Sequence, residues 1–354
     1  MLGRTFDLGK FILLPEAMIN QMDWKDFQLL AALHRDARQS YRSLGRRAAL
    51  SAPAVRERLK RLKEQGILQG YGLRIDPSIF GRDQLAVSFQ GEWTRRDLDK
   101  VMATPDVAFA AWRLDGGLIA AVWSNRSGRS IRKLADTLGV KPSTGAFTER
   151  RHLAPLSVLD LQIIDALIDD PTMPLKKIIE LTGLSPKTIR KRLEALFESS
   201  IISILPRLGP MTGSGEIVYY LAVIGEVEMK ELHRLFGDSV LVNKMQKPPM
   251  KYLLCSESDL GSLTAKIKAL SKLPGVKSVT TTLNRELLFA TEFMHSLVRE
   301  QIQKLEQSRT ERAQTVAQGT LASTGWRSVQ KLPVDVATLG RLSGTFARVE
   351  QPKT

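Results

Sequence analysis

Two stretches of the chain carry apolar residues at helical spacing, and each is followed by a short apolar strand. In the first stretch the pattern predicts three helices, the second over Tyr41–Ala49 and the third with Val55, Leu59 and Leu62 on its buried face. The strand Ile67–Leu73 comes next, at the place of a wing. Two helices joined by a tight turn, the second rich in Arg and Lys, are typical of a helix-turn-helix.

The same pattern returns 134 residues later without a gap. There the third helix carries Ile189, Leu193 and Leu196 on its apolar face, and the strand Ile201–Leu205 follows. Self-similarity of this extent indicates a duplicated unit. The residues that the two copies share include the pairs Asp26 and Asp160, Leu50 and Leu184, Ser51 and Ser185, Arg56 and Arg190, and Arg58 and Arg192.

Each copy is followed by a region in which strands and helices alternate in the order βαββαβ, the ferredoxin-like split motif. In the first region the predicted elements are Leu85–Phe89, Asp97–Ala103, Val107–Arg113, Leu118–Trp123, Ser130–Leu138 and Gly145–Leu153. In the second region they are Ile217–Ile224, Met229–Phe236, Val240–Met245, Tyr252–Cys255, Leu260–Leu273 and Val276–Leu283. The predicted fold class is α+β, with two winged helix-turn-helix domains alternating with two ferredoxin-like βαββαβ domains.

These elements divide the chain into six segments. They are an N-terminal extension (1–22), a first winged helix-turn-helix (23–76), a first ferredoxin-like domain (82–154), a second winged helix-turn-helix (155–208), a second ferredoxin-like domain (215–306) and a basic tail (307–354). A helix over Glu292–Glu306 precedes the tail. The tail is rich in Ser, Thr, Gln, Gly and Arg, a composition that predicts disorder.

The excess positive charge is concentrated in three places. The formal net charge of the 354 residues is +15, of which +7 falls between Tyr41 and Lys63, +4 between Leu175 and Phe197, and +4 in the tail after residue 307. The first two segments hold the turns and third helices of the two copies. A basic surface on a helix-turn-helix indicates a polyanionic partner, which predicts double-stranded DNA.

Composition narrows the other possibilities. The single cysteine, Cys255, excludes an internal disulfide and a cysteine-ligated zinc site, and it fits a reducing cytoplasm. Cys255 is interpreted as a buried small hydrophobic residue, with redox sensing as the alternative. Apolar runs such as Val218–Ile224 are too short to span a bilayer, so we expect no membrane association. No residue pattern indicates a cofactor or a metal.

The residues Ala49–Leu62 and Gly66-Ile67-Leu68, with Leu184-Ser185-Pro186 and Ile189–Leu193 in the second copy, resemble the leucine-responsive regulator/AsnC family of transcription factors. The resemblance implies a cytoplasmic, nucleoid-associated DNA-binding regulator. It also implies that the ferredoxin-like domains pair, which in this fused chain gives either a homodimer or an intrachain pseudo-dimer.

The two copies depart from the family at the turn between the second and third strands of the ferredoxin-like domain. Amino-acid-responsive members carry a Gly…Asp turn there, whereas this chain has Leu114–Gly117 in one domain and Lys247–Met250 in the other. The resemblance therefore implies no amino-acid effector, and a small-molecule effector, if there is one, stays unknown.

DNA contacts are expected on the outward faces of the second and third helices. Arg56 and Arg190 are the candidates for base contacts, because an arginine can pair with guanine through two hydrogen bonds. The other basic and capping positions are expected to contact phosphate. The complete predicted DNA-binding set is Arg42, Arg46, Arg47, Ser51, Pro53, Arg56, Arg58, Lys60, Arg61, Lys176, Lys177, Ser185, Lys187, Thr188, Arg190, Lys191 and Arg192.

Three alternatives to a sequence-specific regulator remain open. The basic helices can be ordinary solvated faces, or the chain can be an architectural protein that binds DNA without specificity. Related proteins with this fold decarboxylate siroheme, so an enzyme on the same scaffold is the third alternative. The four histidines, His34, His152, His233 and His295, are scattered along the chain and form no catalytic pattern. We therefore predict that the chain is not an enzyme.

Overall fold

The computed structural model describes residues 22–209 and 215–323. By internal contacts the chain divides after Leu305 into two units, and the helix-turn-helix and ferredoxin-like regions all belong to the first. The predicted N-terminal extension, apart from residue 22, and the tail beyond residue 323 lie outside the described residues. Among the described helices, none combines the length and the apolar content needed to cross a membrane.

Two three-helix domains, here called head 1 and head 2, form where the sequence repeats. Both begin with a capping box, in which Asp23 and Asp26, or Ser157 and Asp160, satisfy each other's backbone N–H groups. Head 1 consists of α1 (Trp24–Arg35), α2 (Tyr41–Ala48), α3 (Ala52–Glu64) and strand β1 (Leu68–Ile75). Head 2 consists of α6 (Val158–Leu167), α7 (Leu175–Thr182), α8 (Pro186–Glu198) and strand β6 (Ile202–Leu208).

The two regions between and after the heads have the predicted βαββαβ order. The first αβ domain contains β2 (Asp83–Gln90), α4 (Arg95–Met102), β3 (Val107–Arg113), β4 (Gly117–Ser124), α5 (Ser127–Leu138) and β5 (Thr144–Thr148). The second contains β7 (Ile217–Gly225), α9 (Met229–Phe236), β8 (Val240–Met245), β9 (Met250–Glu257), α10 (Leu260–Ser271) and β10 (Val276–Thr282). In the second, the strand order is β10-β7-β9-β8, as the split motif requires. The predicted α+β fold class is confirmed.

A further strand and a long helix follow the second αβ domain. Strand β11 (Asn284–Phe289) leaves its own domain and joins the first sheet beside β3, giving the order β11-β3-β4-β2-β5. Sequence reasoning missed this strand. Helix α11 (Thr291–Ser323) does not end at Glu306 as predicted but continues through the first part of the expected disordered tail.

The prediction of separate wings needs correction. Strand β1 of head 1 does not fold back on itself but pairs antiparallel with β6 of head 2, with Leu73 opposite Ile204 and Ile75 opposite Ile202. A lone strand leaves its backbone groups unpaired, and the two copies satisfy this need by pairing with each other. The resulting two-stranded ribbon joins the heads.

Each head packs against the αβ domain of the other repeat. The core of head 1 continues into Val218, Tyr220 and Leu254 of the second αβ domain. The core of head 2 continues into Ala108 and Trp123 of the first αβ domain, and into one face of α11. Each repeat therefore completes its hydrophobic core with residues of the other. On the outer faces of the sheets, α4 with α5 and α9 with α10 build the two remaining cores.

Candidate nucleic-acid interface

The turn before each recognition helix is tight, but the two copies form it differently. In head 1, Ala49 ends α2 in the left-handed conformation, and the Leu50 N–H donates to the carbonyl of Gly45 at 2.9 Å. A Cβ atom at position 45 would collide with the carbonyl oxygen of Leu50, so glycine is needed there. In head 2, Gly183 takes the left-handed position, and its N–H donates to Ile179 at 2.8 Å.

The recognition helices α3 and α8 begin at serine caps. Ser51 Oγ accepts from the Ala54 N–H at 3.3 Å, and Ser185 Oγ accepts from the Thr188 N–H at 3.2 Å. The half-buried Thr188 hydroxyl also lies 2.9 Å from Ser185 Oγ. A proline stands in the first turn of each helix, where its missing N–H costs nothing. The N-cap positions predicted from the sequence are confirmed.

The buried and exposed faces of the two recognition helices follow the predicted periodicity. Val55, Leu59 and Leu62 are buried in head 1, as are Ile189, Leu193 and Leu196 in head 2. Most of the predicted DNA-binding side chains lie on the exposed surface of α2, α3, α7 and α8. The exposed members are Arg42, Arg46, Arg47, Ser51, Pro53, Arg56, Lys60, Lys176, Lys177, Ser185, Lys187, Arg190 and Lys191.

Two of the exposed lysines have a carboxylate neighbour on their own helix. Lys60 Nζ lies 3.7 Å from Glu64, and Lys176 Nζ lies 3.9 Å from Glu180, with all four side chains mostly exposed. Exposed pairs of this kind contribute about 0–1 kcal/mol, so they hold neither lysine away from a phosphate.

Three predicted contacts, Arg58, Arg61 and Arg192, need correction because they are committed inside their own heads. Arg58 Nη1 donates to Asp26 at 2.9 Å and Arg61 Nη2 donates to the same carboxylate at 2.6 Å, and the Asp26 side chain is fully buried. In head 2, Arg192 donates to Asp160 at 2.7 Å and to Ser157 Oγ at 2.8 Å.

Burial opposes the charge of Asp160, but hydrogen bonds from Ser157 and Arg192 outweigh it, so the pKa of Asp160 lies below its ordinary value. A guanidinium group that balances a buried carboxylate is not available to phosphate. These arginines therefore hold the recognition helix against the first helix of the head.

Head 1 has an aromatic neighbour for its candidate base-reading arginine that head 2 lacks. The Arg56 guanidinium lies over the Tyr41 ring, 5.8 Å from its centroid. The position of Tyr41 in the second copy is Leu175, so Arg190 has no such ring beside it. A cation–π contact restricts where Arg56 points. Sequence reasoning missed Tyr41, although its place in the first turn of α2, one turn from the recognition helix, was a usable signal.

The heads contact each other directly as well as through the ribbon. Arg38, in the loop after α1, donates to the carbonyls of Pro171 and Met173 in the corresponding loop of head 2, at 2.8 and 3.2 Å. Both heads also belong to the same compact unit. The two recognition helices are therefore held by one framework.

Within the described residues, no cluster of three or more His, Cys, Asp or Glu is placed to hold a metal ion. Two of the four histidines have a structural contact. His34 hydrogen-bonds the carbonyl of Leu30, and His295 lies between Asp165 and Asp169. His152 and His233 are exposed. Cys255 is fully buried, and this burial raises the pKa of its thiol, as expected for a small core residue.

A family profile for the AsnC-type helix-turn-helix domain matches the chain twice, over residues 22–63 and 156–196. Among curated proteins, the chain is 38% identical over 66 residues to the HTH-type transcriptional regulator Ptr1 of Methanocaldococcus jannaschii, a match covering 19% of this chain and 45% of that protein. It is 30% identical over 98 residues to the regulator LrpB of Bacillus subtilis, covering 27% of this chain and 66% of that protein. The matches thus span about half to two thirds of these relatives.

Solved structures give matches of lower identity. The siroheme decarboxylase NirDL matches 80% of this chain and 99% of its own, with 13% identity and a TM-score of 0.40. The leucine response regulatory protein LrpA of Mycobacterium tuberculosis matches 38% of this chain and 98% of its own, with 20% identity and a TM-score of 0.28. The two AsnC-type domains and the regulator relatives confirm the resemblance: this is a tandem chain of the leucine-responsive regulator/AsnC type.

Proposed function

We propose that the chain is a sequence-specific DNA-binding transcriptional regulator, without catalytic activity, that uses both recognition helices on one duplex. It would act in the cytoplasm, at the nucleoid. The observation that carries the proposal is the pairing of two exposed basic recognition helices in one rigid unit. The names of the curated relatives, which are HTH-type transcriptional regulators, support the regulatory role.

In this proposal the two helices divide the work between base reading and phosphate contact. Arg56 and Arg190 stand in the first turns of α3 and α8, the part of a recognition helix that reaches base edges. The exposed basic side chains of α2 and α7 contact phosphate, as do the exposed N–H groups at the capped helix starts. Arg58, Arg61 and Arg192 support the helices from behind and contact no DNA.

The two heads present different chemistry to the duplex. Head 1 offers Arg56 beside Tyr41, while head 2 offers Lys187 and Lys191 beside Arg190. We infer that the two half-sites differ in sequence, so that the operator is a pseudo-palindrome with an asymmetric spacer.

The test starts from genomic fragments selected by the full chain at physiological salt. On the best-selected site, Arg56→Ala and Arg190→Ala are each expected to cost about 1–3 kcal/mol in fluorescence anisotropy, which is roughly 5- to 150-fold in Kd. Arg132→Ala is the matched control, because Arg132 is an exposed arginine on α5, outside the heads, and should leave Kd unchanged. If neither head variant binds more weakly than this control, the recognition helices are wrongly assigned.

Two further measurements separate the remaining alternatives. A binder with about 6–10 phosphate contacts loses on the order of 10³–10⁵ in affinity between about 50 and 200 mM salt. A specific regulator also prefers its site over competitor DNA by about 10³-fold or more. A much smaller ratio would indicate an architectural protein, and no DNA binding at all would contradict the proposal.

A further inference from the structure

A closed cavity lies between the two ferredoxin-like sheets. Its volume is about 90 Å³, and its walls come from both αβ domains, from the ribbon and from α1. Most of the wall is apolar and includes Ala86, Phe109, Ile119 and Leu205. Water occupies about 30 Å³ per molecule in the liquid, so this space matches a ligand of a few non-hydrogen atoms.

One charged side chain reaches this cavity, and no described carboxylate pairs with it. Arg74 of β1 donates through Nε to Ser203 Oγ at 2.8 Å and through Nη1 to the carbonyl of Val242 at 2.6 Å. Among the described residues it forms no salt bridge, in contrast to Arg58 or Arg82. Burial lowers the pKa of Arg74, and the charge of Asp76 only partly offsets this. A buried cation with neutral partners leaves room for an anion.

Two further polar atoms at the cavity wall have no hydrogen-bond partner among the described residues. They are the hydroxyl of Tyr252 and Oδ1 of Asn284, and Asn284 is only 8% exposed. Tyr252 stacks on Tyr220 with the two ring centroids 5.2 Å apart, which fixes its hydroxyl. Buried polar groups are nearly always satisfied in folded proteins, so an unsatisfied pair at a cavity indicates a missing partner.

A wider cleft adjoins this cavity and shares four lining residues with it, Arg74, Gln84, Val242 and Asn243. Its volume is about 470 Å³. Basic side chains are in excess along its walls, where Arg82, Arg150, Arg151 and Lys244 face the acids Asp76 and Glu149. The cleft gives an anion a positively charged route to Arg74.

We propose that this cavity is a binding site for a small amphipathic carboxylate. The carboxylate pairs with the Arg74 guanidinium, and a short apolar group fills the space between the sheets. Tyr252 and Asn284 supply the remaining hydrogen bonds. The site does not depend on DNA binding, so failure of the proposed function would leave it intact.

Butyrate and benzoate are the probes, with the amide of butyrate as the uncharged counterpart, each titrated calorimetrically into the full chain at millimolar concentration. We expect at least one carboxylate to bind and the amide to bind at least tenfold more weakly, because a hydrogen bond to a charged group is lost. Equal binding of acid and amide, or no binding of either acid, would overturn the proposal.

Two variants locate the site. Arg74→Met should weaken carboxylate binding at least tenfold, whereas Lys244→Met removes the same charge at the exposed rim and should change it less than about threefold. Because Arg74 also holds two elements together, its variant may lose stability for other reasons, and Ala86→Leu provides an independent check. It fills the cavity without altering charge and should abolish binding, while Ala265→Leu on the exposed face of α10 should not. Undiminished binding by Ala86→Leu would place the ligand elsewhere.

Discussion

At the scale of single residues, two arginines near the start of each recognition helix have different roles. Arg56 and Arg58 are two positions apart, so their side chains point about 200° apart around the helix. Arg56 faces solvent, while Arg58 reaches back to the buried Asp26. The sequence showed both arginines repeated in the second copy, but only the structure shows which one has an acidic partner. The joint repetition of Asp26 with Arg58 was the available signal.

The internal arginines lead to a stability prediction. Arg58→Ala takes one of the partners of a fully buried carboxylate and should cost about 3 kcal/mol, the lower end for a broken buried pair, because Arg61 remains. Arg192→Ala should cost about 1–2 kcal/mol, since Asp160 is 14% exposed and stays solvated. Thermal melting of both variants checks the order, with the exposed Arg96→Ala as control. Equal losses would contradict it.

His295 gives a second prediction at this scale. Burial disfavours its charged form, but hydrogen bonds and charge from Asp165 and Asp169 outweigh this and raise its pKa above 6.5. A raised folded-state pKa stabilises the protein fully below pH 6.5 and loses this effect as pH rises through the folded value. The difference in melting temperature between wild type and His295→Gln should therefore be largest in mild acid and shrink in alkaline buffer. A difference that grows with pH would contradict the assignment.

At the scale of elements, local pattern predicted more than pairing. The strand Val107–Arg113 and the helix Met229–Phe236 have the bounds expected from periodicity, because each carries its own apolar face. Strand β11 was missed because it directly follows β10 in the chain but pairs with β3 of the other domain. The partner of β1 was likewise not visible in the sequence, since β6 lies more than 120 residues away. Long-range pairing depends on the packing of the whole chain, not on local propensity.

Glycine 72 offers a test of how the ribbon meets the sheet. A Cβ atom at Gly72 of β1 would collide with the Phe289 ring of β11. Gly72→Ala should therefore destabilise the chain by about 1–3 kcal/mol, the usual cost of overpacking. In a Phe289→Ala background the same change should cost little, because the ring is gone.

The control for this cycle is Gly128→Ala on α5, where a Cβ atom meets only the end of the Arg132 side chain. It should be neutral or slightly stabilising, since alanine limits the unfolded chain more than glycine does. Additive effects of Gly72→Ala and Phe289→Ala would show that the two residues are not in contact.

At the scale of the whole molecule, the two repeats are interlocked. Head 1 shares its core with the second αβ domain, and head 2 shares its core with the first. The ribbon, strand β11 and the Arg38 contacts add three further links between the repeats. Duplication was evident in the sequence, but this exchange was not, because identical packing faces fit either repeat. It gives one chain the internal pairing that the resemblance assigns to two.

This interlocking leads to the final prediction, which rests on the proposed function. Two-fold regulators bring two recognition helices to an operator by pairing two chains, whereas here both helices already belong to one. We expect one chain of 39.5 kDa per duplex, measured by light scattering of the purified complex. Because the heads differ at Tyr41 and Leu175, footprinting should show two half-sites of unlike sequence. Two chains on each duplex, or a perfect palindrome protected by one chain, would show that the heads do not act as this pair.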